Sequence, residues 1–130
     1  MAENPSDLKY TKDHEWARVE GTRVRVGITR HAVESLGDIT LVNFDVKAGA
    51  ALAVGKAFGT VESVKAVSDL FAPLSGTVVE VHGQLLDHPE KINDDPYTSG
   101  WMVLVEAAPG SNDLDALMDA EAYERYLGTL

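Results

Sequence analysis

From Phe58 to Gly76 the chain reads FGTVESVKAVSDLFAPLSG, an apolar, β-branched run with a single lysine at its centre. Valine, threonine and phenylalanine fit a pleated, half-buried surface, so propensity alone draws Phe58 to Phe71 as one strand of about 14 residues. Strands usually run only ~5–6 residues. In a domain of 130 residues such a run must fold back on itself. The most polar place to turn is Ser63-Val64-Lys65-Ala66, which offers none of the Gly, Asn or Pro that usually makes a hairpin. A tip at Lys65 is permitted but not demanded; a solvated lysine on a strand face is the competing reading.

The flanking sequence continues the β pattern. Trp16 to Glu20 and Arg23 to Ile28 read as strands around Gly21-Thr22, with Val24, Val26 and Ile28 alternating against Arg23, Arg25 and Gly27. Thr29 can cap a short helix carrying Ala32, Val33 and Leu36, and Gly37 is its natural stop. Asp38 to Phe44 is a third strand, and Asp45 to Lys56 reads as turn and short strand. Phe58 to Val64, Ala66 to Leu70 and Thr77 to His82 follow, the last two separated by the turn Ala72-Pro73-Leu74-Ser75-Gly76.

Gly83 to Gly100 is polar and punctuated by Pro89 and Pro96, and Trp101 to Glu106 is a last strand. Asn112 opens a helix grouping Leu114, Leu117 and Met118; Asp119 caps another with Tyr123, Tyr126 and Leu127 inward. Trp16, Trp101 and Phe58 are expected in the core. The whole predicts a single domain, 1–130, mainly β, a small sandwich or barrel with peripheral helices near 29–36 and 112–127.

Charge and composition narrow the function. A net charge of −10 and a pI near 4.6 argue against nucleic acid or an anionic membrane as partner, since both need a cationic face. With no cysteine, disulfides, Cys-ligated metals and a thiol nucleophile are excluded, so redox chemistry requires an imported group. His14, His31, His82 and His88 show no metal-site spacing, and Asp94-Asp95 lacks the pattern of a calcium loop, so no metal is expected. Asp13-His14-Glu15 is a poor acid–base cluster, because successive strand residues point to opposite faces. MAENPSDLK has no basic segment followed by an apolar one, and Ala48 to Gly55 is too short to cross a bilayer. The expected location is cytoplasmic, or an organelle matrix after removal of a targeting segment.

Glu62-Ser63-Val64-Lys65-Ala66, followed by Ser68-Asp69-Leu70 and Ala72-Pro73-Leu74-Ser75-Gly76, resembles the lipoyl-attachment hairpin of the glycine cleavage system H protein family. The resemblance extends along the chain. Tyr10-Thr11-Lys12-Asp13-His14-Glu15-Trp16, Val26-Gly27-Ile28-Thr29, Leu36-Gly37-Asp38, Asn93-Asp94-Asp95-Pro96-Tyr97, Gly100-Trp101 and Leu117-Met118-Asp119-Ala120-Glu121-Ala122-Tyr123 are all similar to blocks of that family, in order. Biotinyl lysines typically stand between methionines, whereas Val64 and Ala66 flank this one. Two departures are local: Asp45 follows Phe44 where the family usually has Leu-Pro, and His82 stands where asparagine is common.

The resemblance implies a lipoyl-type barrel-sandwich hybrid, with the lipoyl hairpin at about 58–72 and a C-terminal helical segment at about 111–128. It implies lipoate joined to Lys65 as N6-lipoyllysine by a lipoate-attaching enzyme, on an arm reaching roughly 12–14 Å. The carrier would take an aminomethyl group from a pyridoxal-phosphate glycine decarboxylase and pass its methylene to a tetrahydrofolate-dependent aminomethyltransferase. A dihydrolipoamide dehydrogenase with bound FAD would then reoxidise the dithiol. The protein itself would be a non-catalytic, monomeric shuttle. By motif, Glu62 and Gly76 are candidates for recognition by the attaching enzyme. Glu15, with Asp13 and Asp69, are candidates to receive the folded-back cationic arm. Gly76 also has a structural reading, as part of a turn after Pro73. Two rivals are an H-like protein that relays lipoyl groups to other enzymes and an unmodified interaction domain of the same fold.

Overall fold

Alternation along Arg23–Ile28 has a direct structural outcome: Val24, Val26 and Ile28 are buried and Arg23 is exposed. The structure, a computed structural model that describes residues 4–130, sorts nine strands into two antiparallel sheets. The larger contains β1 (Lys9–Tyr10), β2 (Glu15–Glu20), β3 (Arg23–Ile28), β5 (Ala51–Leu52), β8 (Gly76–Val81) and β9 (Val103–Ala107), in the order β1-β2-β3-β9-β8-β5. The smaller is β4 (Ile39–Phe44), β6 (Ala57–Ser63) and β7 (Val67–Phe71), with β6 in the middle.

One apolar cluster joins the inner faces. Val24, Val26, Val78, Val103 and Val105 come from the larger sheet, and Ile39, Val42, Val61 and Leu70 from the smaller; Phe58 and Leu74 are buried among them. Each such side chain removed from water contributes roughly 1.5–3 kcal/mol. A second cluster, Leu8, Tyr10, Trp16, Tyr97 and Tyr123, seats the C-terminal helix. Tyr10 and Tyr123 stack there with ring centroids 4.6 Å apart.

The helix caps are where their residues predict them. Thr29 accepts from the Ala32 N–H at the start of α1 (Arg30–Leu36), and Gly37 donates to Val33 at its end. Asp119 accepts from the Ala122 N–H at the start of α4 (Ala120–Leu127).

Three expectations are corrected. The polar stretch after Gly83 folds into two short helices, α2 (Gln84–Asp87) and α3 (Glu90–Asp94). Each buries one apolar residue, Leu85 and Ile92, and one residue cannot announce a helical period. The expected helix from Asn112 is a single 3₁₀ turn, Asp113–Ala116. Leu117 is then extended, and Met118 exchanges two backbone hydrogen bonds with Tyr10 at 2.7 and 2.9 Å. Trp101 is only partly buried. Its ring lies between the His82 imidazole (centroids 4.3 Å apart) and the Arg25 guanidinium (4.4 Å), so stacking and cation–π contact cover what the core does not. Trp16 and Phe58 are buried as expected, while the two-residue strand β1 is too short for its pattern to be read. No helix among the described residues is long and apolar enough to cross a membrane.

A lysine-tipped hairpin as the candidate functional site

β6 and β7 run antiparallel from Ala57↔Phe71 to Glu62↔Val67, so the turn falls on Ser63 to Ala66 and Lys65 stands at the tip. Ser63 closes it. Its N–H donates to the Ala66 carbonyl at 2.8 Å, and its hydroxyl oxygen accepts from the Lys65 and Ala66 N–H groups at 3.3 and 3.1 Å. A serine side chain thereby satisfies backbone donors that Gly or Asn turns handle by conformation alone. Val64 and Lys65 are left exposed.

Below the tip lies the end of α1. Gly37, the C-cap, has φ +82°, a left-handed conformation that favours glycine. A Cβ placed on it would lie 3.4 Å from Lys65 Cε, so the lysine stem runs against this bare α-carbon. The junction is held from α3. The Asn93 side-chain oxygen accepts from the Ile39 N–H at 2.9 Å, and its amide donates to the Ile39 carbonyl at 3.1 Å. Ile39 pairs with Ser63, so Asn93 fixes the strand against which the hairpin turns.

The sequence-predicted companions of Lys65 do not form one cluster. Glu15 is buried, with Oε1 accepting from the Thr11 hydroxyl at 2.7 Å and Oε2 from the Phe71 N–H at 3.2 Å. It ties the entry of β2 to the base of the hairpin, and burial pushes its carboxyl up to about 7 despite both hydrogen bonds. Asp13 is exposed two residues upstream. Asp69 is exposed on β7 opposite Thr60. Glu62, partly buried, shares a cross-strand row with Leu41 on β4 and Val67 on β7.

Gly76 lies elsewhere, opening β8 in the larger sheet between Leu52 and Ala107. A Cβ there would overlap the Glu106 carbonyl oxygen and stand 2.8 Å from Val105 Cγ1. Packing therefore requires glycine at this position. Gly76→Ala is expected to lower the unfolding free energy by roughly 1–3 kcal/mol, read from urea melts. Equal stability of the two proteins would return the glycine to a recognition role.

One group of residues escaped sequence reasoning. His14 has φ +68° and is partly buried, its Nδ1 2.8 Å from the Tyr123 hydroxyl, which also meets Thr29 Oγ1 at 2.9 Å. The His14 and His31 rings lie 4.5 Å apart, and burial, then the neighbouring His31, lowers the pKa of His14. A left-handed histidine leaves no trace in hydrophobic periodicity; only its place beside the buried strand start could have hinted at it. Among the described residues no group of three or more His, Asp or Glu is placed to hold a metal ion.

Two facing antiparallel sheets, with a lysine presented at the tip of a hairpin from the smaller one, define a domain of the lipoyl-carrier type. The family model described as glycine cleavage H-protein matches residues 8–129, and the chain belongs to that family. It is 52% identical over 128 residues to the glycine cleavage system H protein of Myxococcus xanthus (strain DK1622), covering 98% of both chains. It is 52% identical over 120 residues to that of Geobacillus kaustophilus (strain HTA426), covering 92% of this chain and 93% of the relative. The crystal structure of a glycine cleavage system H protein from Mycobacterium marinum superposes with a TM-score of 0.82 at 40% identity, covering 96% of this chain and 97% of that one.

Proposed function

We propose that residues 1–130 form one lipoyl-carrier domain that bears lipoate as an amide on Lys65 and serves as the shuttle of the glycine cleavage system. The observation that carries this reading is the hairpin itself: an exposed primary amine on a turn braced by Ser63, its stem lying against the glycine that ends α1. Lysine suits the attachment, being a flexible stem ending in an amine that water can reach. When bound, the dithiolane supplies the redox sulfur absent from a chain without cysteine.

This chain's residues do the presenting and not the bond-breaking, so the protein is a non-catalytic, monomeric component working in the cytoplasm. Its visits are to a pyridoxal-phosphate decarboxylase, a tetrahydrofolate-dependent aminomethyltransferase and an FAD-containing dihydrolipoamide dehydrogenase. Between visits Asp13 and Asp69 offer exposed carboxylates to a cationic arm. Glu15, half ionised near neutral pH, offers charge only if its contacts to Thr11 and Phe71 loosen.

The reading is tested by incubating the purified protein with a lipoate ligase, lipoate and ATP, then recording intact mass and fragment spectra. One lipoyl group localised to Lys65 is the expected result. A bare lysine under conditions that load another lipoyl domain would refute it.

A further inference from the structure

Resting on that reading, we infer that Asn93 is a positioning residue for the lipoyl arm: it fixes the support from which Lys65 presents its cargo. β4 is an edge of the smaller sheet, and Ile39, its first residue, pairs on one side with Ser63, which closes the turn. On the other side stands Asn93, meeting the Ile39 N–H at 2.9 Å and its carbonyl at 3.1 Å, as a neighbouring strand would. An amide carries an acceptor and a donor side by side; an ionised carboxylate offers acceptors alone and an aliphatic side chain neither. The same short segment grips the chain at the start of α1. Arg30, which opens that helix, donates from Nη1 to the Asn93 carbonyl at 2.7 Å and from Nη2 to the Asp94 carbonyl at 3.4 Å. Its own N–H donates to the Tyr97 hydroxyl at 2.9 Å. Ile92, beside Asn93, is fully buried, so α3 is itself anchored. Residues 93–97 therefore hold the chain on both sides of α1, at Arg30 and at Ile39. Between these two points lies Gly37, the α-carbon against which the Lys65 stem rests. None of these contacts involves Lys65, so Asn93 acts through α1 and β4.

Position matters to a shuttle because its arm is short. The arm extends roughly 12–14 Å from its root, so a root that wanders carries the dithiolane away from where a docked enzyme needs it. A tip found in the presenting position only about one-fifth of the time would be bound about fivefold more weakly by each visitor, with the chemical step unchanged.

The test compares Asn93→Ser, which removes both contacts to Ile39, with Arg30→Met, which removes the guanidinium and keeps the stem. Val78→Ala, which opens a cavity in the core on the larger sheet, is the control for lost stability alone. Two readings are taken. The first is the backbone amide order parameters of Ser63 to Ala66 in the unmodified proteins. The second is the rate at which glycine decarboxylase and glycine load the lipoylated proteins, against carrier concentration. In Asn93→Ser the order parameters should fall, and KM should rise about fivefold with kcat little changed. Arg30→Met should shift both in the same direction. Val78→Ala should lower the urea midpoint and leave both readings at the parent's values. Parent-like order parameters in both variants, or an equal rise of KM in Val78→Ala, overturn the assignment. A parent protein that accepts no lipoyl group at all would instead defeat the carrier reading, and this role with it.

Discussion

A Lys65→Arg protein is expected to fold as the parent does, to accept no lipoyl group, and to support no glycine-dependent turnover in a reconstituted system. Lys65 is exposed, and surface changes of this kind usually alter stability by no more than about 0.5 kcal/mol. The chemistry changes completely. An arginine stays protonated at every working pH and has no free amine to acylate, although its length and charge are similar. Intact mass after ligase treatment and NADH formation with the three partner enzymes give independent readings. Modification of the arginine protein, or turnover without it, would mean that another residue carries the group.

The second large effect concerns stability against pH. Glu15 has a folded value of about 7 against an ordinary value near 4.5, so the folded protein holds that proton more tightly than the unfolded chain does. The stability from this group is fully present below about pH 4.5 and is lost as pH rises through about 7. The displacement corresponds to on the order of 3 kcal/mol. Glu15→Gln removes the titration at nearly the same shape: its amide oxygen can accept from the Phe71 N–H, while the contact in which the Thr11 hydroxyl donates to Oε1 is given up. At pH 8 the glutamine protein should be the more stable by up to that amount, whereas near pH 4.5 the two should be nearly equal. Urea midpoints at both values check this, and equal stability at pH 8 would mean that the buried carboxylate finds charge compensation elsewhere.

Glu15 also shows where sequence reading ends. A glutamate in a chain with 21 acidic residues is expected outside, and its position next to Trp16 in β2 does not say which is buried; both are. Strands β2, β3, β6, β7 and β8 were legible because each has enough alternating or β-branched residues to establish a period of two. The helices after Gly83 were not, since four or five residues with one apolar anchor hold no period. At the hairpin, propensity left two readings and the resemblance chose between them. The deciding device, Ser63 bonding back to the turn, depends on a side-chain rotamer that composition does not disclose. Gly76 read first as a turn residue and second as a recognition residue, and the packing reason for it was hidden because the carbonyl it must clear belongs to Glu106, far along the chain.

The strand order has a consequence for how the molecule is made. β4, β6 and β7 are close in sequence and can pair as soon as Phe71 has left the ribosome. β3, however, waits for β9, with Arg23 and Glu106 partnered across a separation of 83 residues. By the general dependence of folding rate on contact order, the larger sheet is expected to close after the smaller one. Until it forms, Val42, Val61 and Leu70 lack the Val103 and Val105 that cover them. A nascent chain can therefore expose Lys65 early yet hold it on a sheet without a floor, and only a completed polypeptide offers the hairpin in its finished shape.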